Sequence, residues 1–213
     1  MTRLQSSAPR TGQAGFNMLE ILFSLLIVTT GLLGLAGTQV VAQRAELESY
    51  QRAQAIVLMT DIVDRINTNR KGAICYAVTT DSVAGTKYLG TAGAGKYDIS
   101  AYSCPAMATN PAAVARTQLD LRFIDQMLLG ASETIGGNKV GSMIGARACI
   151  GFDTAAQAYT VAVAWQGATS TFSPASWPIA NNPALARNCA LDLYGTDTQR
   201  RVMWTTIMVA SLT

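Results

Sequence analysis

The chain has 213 residues, of which 14% are charged, with a formal net charge of +3 and no histidine. Without histidine there is no Ser-His-Asp or Cys-His nucleophilic pair, and the commonest ligand of catalytic metal sites is missing. So small a net charge excludes the broad basic footprint that is typical of nucleic-acid-binding domains. The length fits one globular domain with an extended element.

The N-terminal 15 residues contain Arg3 and Arg10, no acidic residue, and end in Gly15. A run without any charged residue then extends from Ile21 to Gln43. A secretory signal peptide has its small-residue cleavage site after the apolar run. Gly15 comes before the run, so cleavage there leaves the apolar helix attached as an anchor. As a helix the run is about 35 Å long, enough to cross a hydrocarbon core of about 30 Å, and the arginines favour a cytoplasmic N-terminus.

Glu20 is the first acidic residue of the chain and immediately precedes the apolar run. A carboxylate deep inside a membrane helix costs about 2.5 to 3.5 kcal/mol, although near the helix end it reaches the headgroups more cheaply. One interpretation is therefore an interfacial glutamate without a special role. The other follows from cleavage at Gly15, which leaves Glu20 one helical turn from the new N-terminus, where it could pair with the terminal amine of an adjacent copy.

Three glycines, Gly31, Gly34 and Gly37, follow at intervals of three residues within the apolar run. Small residues let helix backbones approach closely in lipid-embedded bundles. The alternative is that the glycines are tolerated by the membrane and make no contact.

The segment between Gln39 and Asn69 has no proline or glycine and is rich in strong helix formers, so we predict one helix from about residue 18 to 70. Lys71-Gly72 fits its end. Apolar residues recur at steps of three and four and predict a stripe that packs on a globular head. Its members are Leu47, Tyr50, Ala55, Leu58, Met59, Ile62, Val63 and Ile66.

Residues 73–110 are rich in Gly, Ala, Thr, Ser and Tyr, and we predict a loop region with one short strand over residues 97–102. Asn110-Pro111 is typical of a helix start. The apolar spacing after it predicts a short amphipathic helix. The residues of its apolar face are Leu119, Phe123, Ile124, Met127 and Leu128.

Sheet signals come last in the chain. The alternation of Tyr159, Val161, Val163 and Trp165 with small residues predicts a half-buried strand. Further strands are predicted over residues 148–152, 189–194 and 201–209, which gives an antiparallel sheet of three or four strands against the helix stripe. We expect Tyr159, Trp165 and Trp204 in the core, and Arg200-Arg201 as a solvated or edge-protecting charge pair.

The cysteines are Cys75, Cys104, Cys149 and Cys189, with no Cys-x-x-Cys pair that would favour zinc or thioredoxin-type chemistry. An even number after a membrane span predicts two disulfides in an oxidising compartment. Of the three possible pairings we favour Cys75 with Cys104 and Cys149 with Cys189. The other two pairings stay open, and so does a set of four buried free thiols.

Motifs that carry chemistry are missing from the sequence. There is no phosphate-binding loop of the Gly-x-x-x-x-Gly-Lys type, no Gly-x-Gly-x-x-Gly after a strand and no His-Glu-x-x-His. We therefore predict that the chain is not an enzyme, has no catalytic residue, and binds no cofactor or metal.

Gly15-Phe16, with Glu20 five residues after Gly15, resembles the type IV prepilin signature. That resemblance implies cleavage between Gly15 and Phe16 by a prepilin peptidase, N-methylation of Phe16 by the same enzyme, and a role for Glu20 in docking into the filament. Gly37 stands where major pilins often carry proline, which favours a minor subunit. The chain is similar to the PilV group of minor pilins, the type IV pilus modification proteins, over residues 31–39, 52–55, 61–66, 69–70, 159–167 and 200–202.

The resemblance implies an α+β type IV pilin fold, a long N-terminal helix packed on a small antiparallel sheet. It implies a cleaved leader over residues 1–15, a membrane-spanning helix half over 16–43, an amphipathic half over 44–72 and a periplasmic head over 73–213. Loss of the leader arginines leaves a net charge of about +1.

The expected function is that of a minor pilin, which initiates pilus assembly, joins the tip complex, and supports twitching motility and adhesion. Expected partners are the prepilin peptidase, other minor pilins, the major pilin and a tip adhesin, without nucleic acid. The expected location is the bacterial inner membrane as a single-pass protein, and then the pilus. Two alternatives remain: a minor pseudopilin of a type II secretion system, and a membrane-tethered periplasmic enzyme or sensor.

Overall fold

The computed structural model describes residues 17–209, apart from the side chain of Asn181. The chain divides into two compact units, Met1–Ala45 and Glu46–Thr213. Helix α1, Met18–Thr68, belongs to both units. In the first unit residues 18–45 form the beginning of α1, and none of them is buried.

In the second unit, α1 presents one apolar face to the core. Ala55, Ile62 and Ile66 are fully buried and Leu58 nearly so, which confirms the centre of the predicted stripe. The prediction is wrong at its start, where Leu47 and Tyr50 are exposed. Gln51 is buried there instead. Helix α1 ends at Thr68, close to the predicted stop, and a 3-10 helix follows over Arg70–Tyr76.

A four-stranded antiparallel sheet forms the middle of the second unit. Its strands in spatial order are β1 (Leu89–Gly90), β4 (Arg147–Asp153), β5 (Ala158–Gln166) and β6 (Arg200–Ile207). A separate hairpin pairs β2 (Thr134–Ile135) with β3 (Asn138–Lys139). The structure is thus α+β, with a long apolar N-terminal helix and a small antiparallel sheet.

Strand β5 is buried on both faces, so the prediction of a half-buried strand is wrong. Tyr159, Val161, Val163 and Trp165 belong to the core cluster that includes the stripe of α1. On the opposite face, small residues let a second layer lie close to the sheet. There Ala162, Ala164 and Cys149 of the sheet pack against Leu185, Cys189 and Tyr194 of that layer.

Helix α2, Pro111–Leu128, begins where the sequence predicts, because the Asn110 side chain accepts a hydrogen bond from the Ala113 amide at 3.2 Å. Its buried face differs from the prediction. Ile124 and Leu128 are buried as expected, whereas Leu119 and Phe123 are exposed. The buried face instead includes Asp120 and Asp125. The Asp120 carboxylate accepts a hydrogen bond from Arg65, and the Asp125 carboxylate accepts one from the Gly90 amide.

Two predicted strands are not formed. Within residues 97–102 there is a 3-10 turn, Ile99–Ala101, where the Asp98 side chain accepts from the Ser100 amide. Residues 189–194 follow the short helix α3, Ala184–Asn188, and Ala190 and Asp192 have positive φ. That backbone conformation is incompatible with a strand.

Both disulfides of the structure lie in the second unit. They join Cys75 to Cys104 and Cys149 to Cys189, which is the favoured neighbour pairing. The first links the end of the 3-10 helix to the loop before α2. The second joins β4 to the layer behind the sheet, where both sulfurs are fully buried.

Arg200 and Arg201 are not a solvated pair, which corrects that half of the prediction; no observation tests the edge-protecting role. Arg200 is 1% exposed. Its guanidinium donates to the carbonyls of Arg187 and Cys189 and pairs with Asp197 at 2.6 Å. Arg201 pairs with Glu48 of α1 at 2.5 Å. Both cations therefore hold the fold together. Sequence patterns cannot show that Arg200 is buried, because the carbonyls of Arg187 and Cys189 meet its guanidinium only in the folded chain.

Candidate functional site

Two of the predicted site residues, Gly15 and Phe16, lie outside the described residues. Glu20 is described and lies in the first turn of α1, where its side chain is exposed to solvent. A carboxylate in the first turn is favourable, because the helix N-terminus carries a partial positive charge. Glu20 thus stands at the start of the exposed apolar segment.

The segment after Glu20 is long and apolar enough to cross a membrane. Its most apolar 18-residue window has a mean hydropathy of 2.1 and no buried residue. Large side chains such as Leu22 and Leu33 are 67% and 73% exposed. Exposed apolar surface of this extent marks a site that lipid or protein covers.

The Glu20 side of this segment is small and polar. At about 100° per residue, Ser24, Gly31, Gly34 and Thr38 all lie within about 40° of Glu20 around the helix axis. A Cβ added at either glycine would meet no described atom within 4 Å. A neighbouring backbone could therefore approach this side closely.

The opposite side carries most of the leucines of the segment, together with Thr29 and Ala36. Ile27 is the one large side chain within about 40° of Glu20 between residues 20 and 38. Gly37 lies about 100° round from Glu20, so it borders the small side and is not part of it. The leucines that lie more than about 100° from Glu20 are Leu22, Leu25, Leu26, Leu32 and Leu33.

Every hydroxyl between residues 21 and 43 is bonded to the helix itself. Ser24, Thr29, Thr30 and Thr38 each donate to a main-chain carbonyl three or four residues earlier, at 2.7 to 3.0 Å. Such bonds remove the cost of placing a hydroxyl in an apolar medium. Within that stretch only Gln39 and Gln43 keep polar side chains without such a bond, and both lie near its end.

The second unit contains a buried polar cluster that the sequence did not predict. The Asp120 carboxylate, 4% exposed, accepts from Arg65 at 2.9 Å, from Arg116 at 3.1 Å and from the Tyr76 hydroxyl at 2.5 Å. Burial and the bond to Asp120 raise the pKa of Tyr76 well above its usual value. Burial alone would lower the pKa of Arg65, but hydrogen bonds to Asp61 and Asp120 give it a net increase. The cluster joins α1, α2 and the 3-10 helix.

One sequence signal for this cluster exists, because Arg116 and Asp120 are four residues apart on α2. Asp120 and Arg65 are 55 residues apart in the sequence, so no local pattern predicts that they pair. Among the described residues, no group of three His, Cys, Asp or Glu side chains could hold a metal ion. The strongest candidate site is therefore the exposed apolar segment with Glu20. Comparisons with protein-family models, curated proteins and solved structures find no match.

Proposed function

We propose that this chain is a prepilin-like minor pilin of the PilV type. Its apolar helix anchors it in the inner membrane before assembly and then packs into a pilus. The observation that carries the proposal is the fully exposed apolar part of α1, with Glu20 at its start on a small, polar side. A helix of this kind suits two environments in turn, because lipid covers the leucines and a helical bundle covers both sides.

In this proposal, Glu20 determines how the helix docks when it leaves the lipid and enters the helical bundle of the pilus. In an apolar bundle an unpaired carboxylate is costly, by about 2.5 to 3.5 kcal/mol on insertion scales. Cleavage between Gly15 and Phe16 creates a terminal amine, which stays cationic after methylation. Pairing Glu20 with the amine of a neighbouring subunit offsets part of this cost and sets the axial position of each subunit.

The second unit is proposed as the periplasmic head. Its disulfides fit an oxidising compartment. By the same resemblance it contacts other minor pilins and the major pilin in a tip complex that starts polymerisation and supports twitching and adhesion.

The first test is the covalent state of the native protein. Intact-mass spectrometry of protein extracted from the membrane is expected to find a chain that begins at N-methylated Phe16. Gly15→Ala is expected to stay full length, whereas Gly37→Ala, a matched glycine change beyond the junction, is processed normally. A native, exported chain that still carries residues 1–15 would contradict the proposal.

The second test concerns Glu20. Glu20→Gln keeps the shape of the side chain and removes the charge, so the variant is expected to be cleaved and yet not to restore twitching in a deletion strain. Glu46→Gln, an exposed glutamate of the same helix, is the control and is expected to restore it. Full piliation by Glu20→Gln would remove the docking role. Loss of exoprotein secretion in place of twitching would instead identify a type II secretion pseudopilin.

A further inference from the structure

Strand β6 has an open edge. It pairs with β5 on one side and is the last strand of the sheet. Among the described residues, no backbone N–H or C=O of residues 201–209 makes a hydrogen bond outside the β5–β6 ladder. An edge of this length presents a row of unpaired groups to which another chain can add as a strand.

A cavity of about 370 Å³ lies beside the first half of this edge. Its lining includes residues 200–203 of β6, Arg52 of α1, and the aromatic side chains of Phe172 and Trp177. Phe172 is 68% exposed, although it is large and apolar. A strand added to β6 would run past the cavity, and one of its side chains could enter it.

The cavity favours an anionic side chain. Three arginines and one acid, Glu48, line it. Glu48 is already paired with Arg201, and Arg200 with Asp197. Arg52 is exposed and has no ion-pair partner within residues 17–209.

The wall of the cavity also contains an unused donor. Trp165 lines it and is 3% exposed, and its buried Nε1 has no acceptor among the described residues. A buried donor without an acceptor is unfavourable, because it has lost its hydrogen bond to water and gained none in return.

We propose that β6 and this cavity bind an extended segment of another polypeptide by strand addition, with an Asp or Glu side chain of that segment in the cavity beside Arg52. A second copy of β6 fits less well, because residues 200–209 contain no acidic residue to pair with Arg52. The main-chain bonds supply affinity, and the cavity selects the acidic side chain. The inference uses only residues of the second unit and is independent of leader cleavage.

The chain reports occupancy of this site by itself. All three of its tryptophans are nearby: Trp165 and Trp177 line the cavity, and Trp204 is in β6. The experiment uses the full chain in detergent micelles and follows tryptophan fluorescence as a capped peptide is added. The probe alternates valine and threonine and has one central glutamate. Two control peptides are used. The first has lysine in place of the glutamate. The second keeps the glutamate but is N-methylated at every amide, which removes its donors for strand pairing.

The glutamate peptide is expected to change the fluorescence saturably, and both control peptides are expected to bind at least about tenfold more weakly. Arg52→Glu is expected to weaken the glutamate peptide by about tenfold and to strengthen the lysine peptide, since it replaces one attraction by a repulsion. Arg122→Glu, an exposed arginine of α2 away from the cavity, is the matched control and is expected to leave both affinities unchanged.

Four results would overturn the inference. Equal binding of the N-methylated peptide would exclude strand addition. Equal affinity for the glutamate and lysine peptides, or no effect of Arg52→Glu, would exclude the acidic specificity. A stable dimer of the chain in micelles whose β6 amides are protected from hydrogen exchange would show that a second copy occupies the edge. Leader cleavage is measured separately, by mass spectrometry. A failure of peptide binding therefore leaves the prepilin proposal intact, and a failure of leader cleavage leaves the peptide-binding inference intact.

Discussion

Asp120→Asn tests whether the polar cluster of the second unit stabilises the fold. The substitution keeps the size of the side chain and removes its charge. In the native chain both carboxylate oxygens accept: Oδ1 from Arg65, and Oδ2 from Arg116 and the Tyr76 hydroxyl. An amide has one acceptor oxygen, so at least one of these donors must face an NH₂ group in the variant.

The expected loss follows from the exposure of each partner. Arg116 has a side-chain exposure of 59%, so its pair contributes at most about 1 kcal/mol. The bonds from Tyr76 and Arg65 are buried or nearly so, and each is worth about 1.5 to 3 kcal/mol to a charged acceptor. Arg65 keeps its bond to Asp61 at 2.8 Å, which lowers the penalty. We expect Asp120→Asn to lose about 2 to 4 kcal/mol of unfolding free energy.

The assay is thermal unfolding of the full chain in micelles, followed by near-ultraviolet circular dichroism at pH 7. A loss of this size lowers Tm by about 5 to 15 °C for a unit of this length. Asp64→Asn is the control, because Asp64 is exposed on α1 and has no ion pair among the described side chains. Its Tm is expected to stay within about 2 °C of the native value. Equal Tm values for the two variants would refute the role assigned to the cluster.

Three further changes test other parts of the second unit. Ile62→Ala is expected to lose about 2 to 5 kcal/mol in urea unfolding, and Ile56→Ala, exposed on the same helix, less than about 1 kcal/mol. Replacing Cys149 and Cys189 by alanine opens a loop of 40 residues, so the same assay should show a loss of about 4 kcal/mol. Burial raises the pKa of Tyr194 to about 12, above its unfolded value of about 10, so unfolding free energy should fall as pH rises from 10 to 12. Tyr194→Phe should show a smaller fall over that range.

The elements that the sequence predicted well are those whose signal is local. The start of α2 rests on Asn110-Pro111, and the buried stripe of α1 rests on a helical repeat of apolar residues. The strand over residues 159–165 rests on an alternation of large and small side chains. Each of these patterns reflects a contact or a dihedral preference within a few residues.

The errors have a common physical cause, which is tertiary contact between distant segments. Leu119 and Phe123 have the spacing of a core face, but the paired carboxylates of Asp120 and Asp125 hold a different face against the core. Arginine is usually a surface residue, but Arg200 is buried, because its guanidinium donates to carbonyls 11 and 13 residues earlier in the chain. Sequence spacing does not contain these distances, so the buried charges could not be predicted.

The two surfaces that the described structure leaves unsatisfied differ in what would cover them. The apolar side of α1 requires any nonpolar environment, since hydrophobic burial is non-directional. The edge of β6 requires directional donors and acceptors, which the apolar tails of lipid and detergent cannot supply. Micelles should therefore cover the first surface and leave the second open to a peptide. It follows that binding at β6 can be measured in detergent without assembly, and that assembly by α1 can be measured in variants such as Arg52→Glu, whose β6 site no longer prefers an acidic side chain.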